Sequence, residues 1–417
     1  MRLNNLRFPD ADGLHDLWIH DGKITAILPS HPSSSTMLAT VPSISFKTIN
    51  SNWGEFATIR PNVSDTHPAT PEPSIDLNGA LAFPGLINSH DHLDFNLFPA
   101  LANRIYNSYT EWGPDIQASD RTAIQRIRKI PQPLRTQWGI YKNLLNGFTT
   151  VVNHGKHLDI KDPPVTVFQD CYCLHSVGFE PNWKWKLNRP AKTGRPFAIH
   201  AGEGTDVSAA KEIDELIRWN LFHRPLIGIH GVAMTAEQAA AFHALVWCPA
   251  SNYFLLDRTA AIDQLHAKVR ILFGTDSTLT AGWNAWEQMR MARNLRLITD
   301  DELFATLTIN PATAWGLAGR GTLAPGKMAD LVIARPLPGM TGMDAFFTLD
   351  PRDILLVVHA GRIRLFDRSL LGPITENSLT AESFQPARPG GKYVAGDLPG
   401  LMQEIRSYCP DIAFPLF

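Results

Sequence analysis

A chain of 417 residues is too long for one small domain and long enough for a large barrel with a smaller module beside it. Its 44 % apolar and 19 % charged residues are those of an ordinary globular protein. A formal charge of -2 and the lack of any Lys/Arg run argue against duplex nucleic acid or an anionic membrane as the main partner.

No stretch approaches the roughly eighteen apolar residues of a spanning helix, and the first residues carry no signal-peptide core. Cys171, Cys173, Cys248 and Cys409 match neither a zinc ribbon nor a secreted disulfide framework, so they read as buried reduced thiols. A cytoplasmic setting is the expectation, with a small-molecule partner and a homo-oligomer left open.

In chain order, Asp16–Leu28 places apolar pairs around Asp21-Gly22, a hairpin signal. From Pro29 to about Pro73 the text turns rich in Ser, Thr and Pro, which suits an exposed, weakly ordered excursion. Strand-like segments then alternate with helical ones. Besides the segment before His90, the strands expected are Phe148–Asn153, Val165–Tyr172, Phe197–His200, Leu226–His230, Leu245–Cys248 and Val269–Gly274. Ser208–Trp219, Thr235–His243 and Ala285–Leu297 carry apolar residues at helical spacing.

This alternation predicts parallel βαβ units and favours a closed (β/α)8 (TIM) barrel over a doubly wound sheet, for which a Gly-rich phosphate turn is missing. Only about forty-five residues separate His154 from His200. Two full βα units do not fit comfortably there. Irregular third and fourth strands are therefore expected, with Tyr172–Trp185 as pocket wall. Past Gly319 the strands resume and would join the N-terminal ones. The expected domains are a composite β-sandwich module (1–82 and 319–370), a barrel (83–318) and a C-terminal tail (371–417) packing on the barrel.

Four strand ends carry metal-competent residues: His90-Asp91-His92, His200 followed by Ala-Gly-Glu203, His230, and Gly274-Thr275-Asp276-Ser277. In extended chain, residues i and i+2 share a side, so His90 and His92 project together while Asp91 turns away. In a (β/α) barrel all these ends open on one face. Neutral imidazoles with a carboxylate suit one divalent ion, zinc or alternatively Fe(II), that would lower the pKa of water.

With Cys248-Pro249-Ala250-Ser251-Asn252 and Gly321-Thr322-Leu323-Ala324-Pro325-Gly326-Lys327-Met328-Ala329-Asp330, these motifs resemble the cyclic deaminase and chlorohydrolase branch of the amidohydrolase superfamily. The resemblance spans roughly residues 15–365 without the Ser/Pro-rich excursion. It implies His90, His92, His200 and Asp276 as ligands of one metal, and Glu203 as a proton carrier. His230 would stand beside the water or the developing oxyanion, and Asp276 would accept the water's proton. A related branch uses a carboxylated lysine on the fourth strand to hold two ions, and no lysine stands in such a place. The reaction expected is hydrolysis at a carbon bonded to nitrogen, foremost deamination of an N-heterocycle. Hydrolysis of a cyclic or linear amide or carbamate, or a non-catalytic metal-binding barrel, are the alternatives. Phosphotriester hydrolysis would call for two metals. His154, His157, His175, Trp183 and Trp185 stay open between pocket and loop roles.

Overall fold

The computed structural model describes residues 1–30, 73–190, 194–379, 384–387 and 391–415. Apart from its two ends, the Ser/Pro-rich excursion lies outside the described residues.

The strands that carry the site are all parallel. We label them β1 (Leu86–Asp91), β2 (Phe148–Asn153), β3 (Thr166–Phe168), β4 (Tyr172–Ser176), β5 (Phe197–Ala201), β6 (Leu226–His230), β7 (Ala244–Trp247) and β8 (Arg270–Phe273). They form a three-stranded sheet, β1-β2-β3, and a five-stranded sheet, β4-β5-β6-β7-β8. Nearly every residue of β1, β2, β5, β6 and β7 is buried. Both faces are thus covered, as parallel sheets require.

The continuous ring of strands expected from the sequence is not what the ladders show. Among the described residues, pairing stops between β3 and β4 and between β8 and β1. The segment Val165–Tyr172, read as one strand, is two. Only Gln169–Cys171 lies between β3 and β4, far short of the dozen or more residues of a helical crossover. The crowding seen between His154 and His200 has this form. On the other side, Asp276 N–H donates to the His90 carbonyl at 3.1 Å and Thr275 N–H to Asn88 Oδ1 at 3.1 Å. These bonds knit the C-terminal ends of β8 and β1 where no ladder does.

The helix Val207–Trp219 starts after Asp206, whose carboxylate accepts from Ala209 N–H at 2.8 Å. Ala285–Leu295 ends at Arg296 in the left-handed region. The helix expected over Thr235–His243 shrinks to Ala236–Ala239 behind a Thr235/Gln238 capping box. Three helices before β2 went unread: Tyr109–Ser119, Arg121–Arg128 and Gln132–Leu145.

Both chain ends build one ten-stranded sheet. Its N-terminal hairpin turns at Asp21-Gly22, both with positive φ, as a tight two-residue turn demands. Arg2–Phe8, Ala11–His20, Lys23–Pro29 and Ser74–Asp76 meet the remaining strands through one parallel pairing, Arg7 with Leu81. Leu81–Pro84 then pairs with Leu331–Ala334, and Ile354–His359 and Arg362–Asp367 follow. Along Leu331–Ala334, Leu331 and Ile333 enter the core shared with the N-terminal strands, whereas Val332 and Ala334 enter the core of the parallel strands. Period-two alternation with both faces buried explains the uninterrupted apolar text.

Past Leu371 the chain divides. Phe384–Pro386 and Lys392–Ala395 add to the sheet edge, while the helix Leu398–Tyr408 packs on Gln132–Leu145.

Candidate active site

The C-terminal ends of β1, β5, β6 and β8 bring His90, His92, His200, His230, Glu203 and Asp276 together. Nε2 of His90 and Nε2 of His200 lie 3.3 Å apart. Asp276 Oδ1 is 3.7 Å from His90 Nε2 and 3.9 Å from His92 Nε2. His230 Nε2 is 3.5 Å from Glu203 Oε1. Apart from His92, which is partly exposed, these residues are buried. Asp91 turns to the other side of the strand, as the period of two requires.

Local sequence explains each position. Gly274 lets β8 come against β1: a Cβ there would stand 2.8 Å from the Cβ of His90 and 2.7 Å from Val246. His230 and Asp276 both have positive φ, 74° and 53°, a strained backbone for these residues that re-aims their side chains at the strand ends. The Cys-Pro-x-Ser-Asn segment acquires a physical meaning. It opens the helix Pro249–Leu256, from which Ser251 Oγ donates to Asp276 Oδ2 at 2.8 Å and Asn252 Oδ1 meets His230 Nδ1 at 2.8 Å. Glu203 precedes its helix instead of beginning it. Its carbonyl accepts from Tyr109 N–H at 3.1 Å, and Thr205 N–H donates to the Asn107 carbonyl at 2.7 Å, which clamps the loop.

The hydrogen bonds fix the tautomers. The His175 carbonyl, 2.7 Å from His200 Nδ1, can only accept, so Nδ1 carries the proton and Nε2 a lone pair. Asn252 Nδ2 donates to Thr259 Oγ1 at 3.2 Å, which turns its Oδ1 to His230 and leaves Nε2 of that ring bare. Burial and neighbouring imidazoles push His90 and His200 well below the usual histidine range. Burial lowers His92, and brings His230 to about 4. Burial alone would raise Asp276, but the His92 and His230 rings and the Ser251 and Thr280 hydroxyls outweigh it and hold the carboxyl below its usual value. Burial, with the Asp276 and Glu212 charges, raises Glu203 well above its ordinary value.

Neutral imidazoles facing an ionised carboxylate are a donor set for a borderline divalent ion. Two such nitrogens on a tetrahedral zinc would lie about 3.3 Å apart, given zinc–nitrogen bonds of about 2.0–2.1 Å. The spacing between His90 and His200 fits that geometry. Two overlapping triads of close donor atoms occur among the described residues, His90/His200/His230 and His90/His92/Asp276.

The open residues separate. His154 is buried among the imidazoles, its ring 4.4 Å from His200, and its Nε2 lies 3.0 Å from the Leu174 carbonyl. His175 lines the pocket beside His200. His157 is exposed and does not line the pocket. Trp183 is a core residue, whereas Trp185 stands exposed at the pocket mouth. The pocket holds about 1060 Å³ and has aromatic walls that include Phe95, Tyr109, Trp112 and Phe179. Sequence reasoning missed Lys142, Asn88 and Asn143, which lie beneath the β1 and β8 ends. No motif marks them, and they come from strand interiors or from a helix that went unread.

A parallel-stranded α/β scaffold with a His/Asp cluster at its strand ends, joined to a large sheet from both chain ends, defines the class. Residues 177–364 match the amidohydrolase family model. It is 27 % identical over 169 residues to the imidazolonepropionase of Ruegeria pomeroyi, a match covering 39 % of this chain and 41 % of that protein. The match thus spans about two-fifths of that curated relative's length. Among solved structures it resembles an adenosine deaminase from Xanthomonas campestris with bound zinc: TM-score 0.67, 15 % identity, 99 % of this chain and 98 % of that one. It also resembles the atrazine chlorohydrolase TrzN from Arthrobacter aurescens complexed with zinc: TM-score 0.60, 16 % identity, 87 % of this chain and 94 % of that one. These likenesses establish the fold. Among the described residues no helix is long and apolar enough to cross a membrane.

Proposed function

We propose that the chain is a metal-dependent hydrolase acting on a carbon–nitrogen bond, foremost the deamination of an aminated N-heterocycle. The observation that carries this reading is the meeting of neutral His90, His92 and His200 with ionised Asp276, beside the buried Glu203 whose pKa burial raises. His90, His92, His200 and Asp276 would hold one divalent ion, zinc or Fe(II). When bound, the ion supplies Lewis acidity that brings water within reach of deprotonation at neutral pH.

The protein groups do the rest. Asp276 Oδ2, already held by two hydroxyls, is fixed, and the carboxylate accepts the water's proton. Glu203 delivers its proton to the departing nitrogen. His230, oriented by Asn252, stands beside the oxygen on which charge develops. Aromatic walls suit a flat ring. The strands would amount to an interrupted (β/α)8 barrel over 83–318, served by a module from 1–82 and 319–370.

One observation favours a second reading. The curated relatives are imidazolonepropionases, which points to opening of a cyclic amide. Metal analysis followed by a screen of aminated heterocycles and cyclic amides separates the two. Ammonia release marks deamination, and a new carboxylate without ammonia marks ring opening. A protein that binds no divalent ion and turns over neither class overturns both.

A further inference from the structure

The Cys-x-Cys pair has no part in this chemistry. Cys171 lies in the bend before β4 and Cys173 is the second residue of that strand. Their Sγ atoms are 3.6 Å apart, and both residues are partly exposed. Cys173 lines the pocket, and its thiol points to the Asn153 carbonyl at 3.9 Å. Cys248 and Cys409 are buried instead. The reading of all four as buried reduced thiols therefore fails for this pair.

The two residues after Cys173 reach the histidine cluster through their backbone. The carbonyl of Leu174 meets His154 Nε2 at 3.0 Å, and that of His175 meets His200 Nδ1 at 2.7 Å. The β4–β5 ladder is already irregular at this point, where the register shifts between Ile199 and His200. Two residues of extended chain span about 6.6 Å, at the long end of the 4.4–6.8 Å between the Cα atoms of a disulfide. Closing a bond between these sulfurs would draw the start of β4 together and drag both carbonyls with it.

We infer that Cys171 and Cys173 form an oxidation site at the pocket wall, where a hydroperoxide converts the two thiols to a disulfide that displaces the carbonyl orienting His200. Two S–H bonds break and one S–S bond forms. The sulfurs give up two electrons to the O–O bond of hydrogen peroxide, which leaves as two waters. A spread or twisted strand end makes such a bond readily reducible by a dithiol. The bond itself stands apart from the metal reading; its effect through His200 rests on it. Loss of the partner that orients a ligating histidine costs roughly 10–100-fold in metal affinity.

The test uses the full-length, zinc-loaded protein treated with hydrogen peroxide, then alkylated and mapped by mass spectrometry, with zinc release followed by a colorimetric chelator. The expected result is a loss of two hydrogens in the peptide holding Cys171 and Cys173 while Cys248 and Cys409 still alkylate after denaturation. Zinc affinity should fall 10–100-fold, and a dithiol should reverse both changes. Cys171→Ser should bind zinc normally and keep it under peroxide. Free thiols at both positions after treatment, or sulfinic acid at one of them, would overturn the site. Equal zinc loss from Cys171→Ser would overturn the link to His200. If the bond forms in a protein that never bound zinc, the metal reading falls and the oxidation site stands.

Discussion

Lys142 Nζ lies 3.3 Å from Asp91 Oδ2, with the two side chains only 2 % and 0 % exposed. Lys142 also donates to Asn96 Oδ1 at 2.7 Å and to the Asp276 carbonyl at 3.2 Å. Asn143 Nδ2 donates to the same Asp91 oxygen at 2.7 Å, and Asn88 Nδ2 to Asn143 Oδ1 at 2.8 Å. A fully bonded buried ion pair thus ties a helix to the two strand ends that carry His90 and Asp276. Replacing Lys142 with Met removes one partner of a buried ion pair, and should cost about 3–5 kcal/mol in urea unfolding. The double variant Lys142→Met, Asp91→Asn should recover part of that loss. Equal stability of wild type and Lys142→Met would show that the pair is not the anchor described.

His200→Ala and Asp276→Ala should fold yet retain little divalent metal, with turnover lost; elemental analysis beside circular dichroism checks this. Glu203→Gln should keep the metal and lose roughly 10²–10⁴-fold in kcat, the scale of general acid catalysis. A Glu203→Gln enzyme at wild-type rate would remove that carboxyl from the chemistry.

Glu212 accepts from Gly202 N–H and from the Tyr109 hydroxyl, both at 2.9 Å, so it joins the Glu203 loop to the pocket wall. Burial raises its pKa from 4.5 to about 7. Between those values the folded protein keeps a proton that the unfolded chain has lost, so this group favours folding below about pH 4.5 and progressively less as pH rises to about 7. The loss is about 3 kcal/mol at most. Urea midpoints of Glu212→Gln should fall less steeply than wild type over that window. Parallel slopes would assign the pH dependence elsewhere.

Gly139 sits inside the helix Gln132–Leu145, where Ala would ordinarily gain about 1 kcal/mol. A Cβ at this position would stand 2.1 Å from the Leu93 carbonyl oxygen. The clash decides the sign, and Gly139→Ala should destabilise by roughly 1–3 kcal/mol or more. A higher Tm for this variant would contradict the close approach.

The convergence of His90, His92, His200 and Asp276 was legible because strand ends of parallel units share a face whatever the sequence distance between them. The crowding before His200 was legible too, since chain length bounds what fits. Its form was not: no local signal says that Val165–Tyr172 breaks at Gln169. The helix Tyr109–Ser119 hid because Gly113 and Pro114 interrupt its pattern. Lys142 was invisible because its meaning lies in Asp91, fifty-one positions away. His154 could not be told from a loop histidine until the Leu174 carbonyl stood beside it. The edge strands Phe384–Pro386 and Lys392–Ala395 are short and take their order from each other and from Arg362–Asp367, not from a pattern of their own.

Leu81–Pro84 pairs with Leu331–Ala334, and the strand from 331 closes two cores at once. During synthesis, then, the amino-terminal hairpins wait for a partner until some 250 further residues have left the ribosome. Nascent chains stalled before Leu331 should be cut readily by protease in both halves, because neither half has its lid. Assembly of the two cores is thus a late event that waits on Leu331–Ala334.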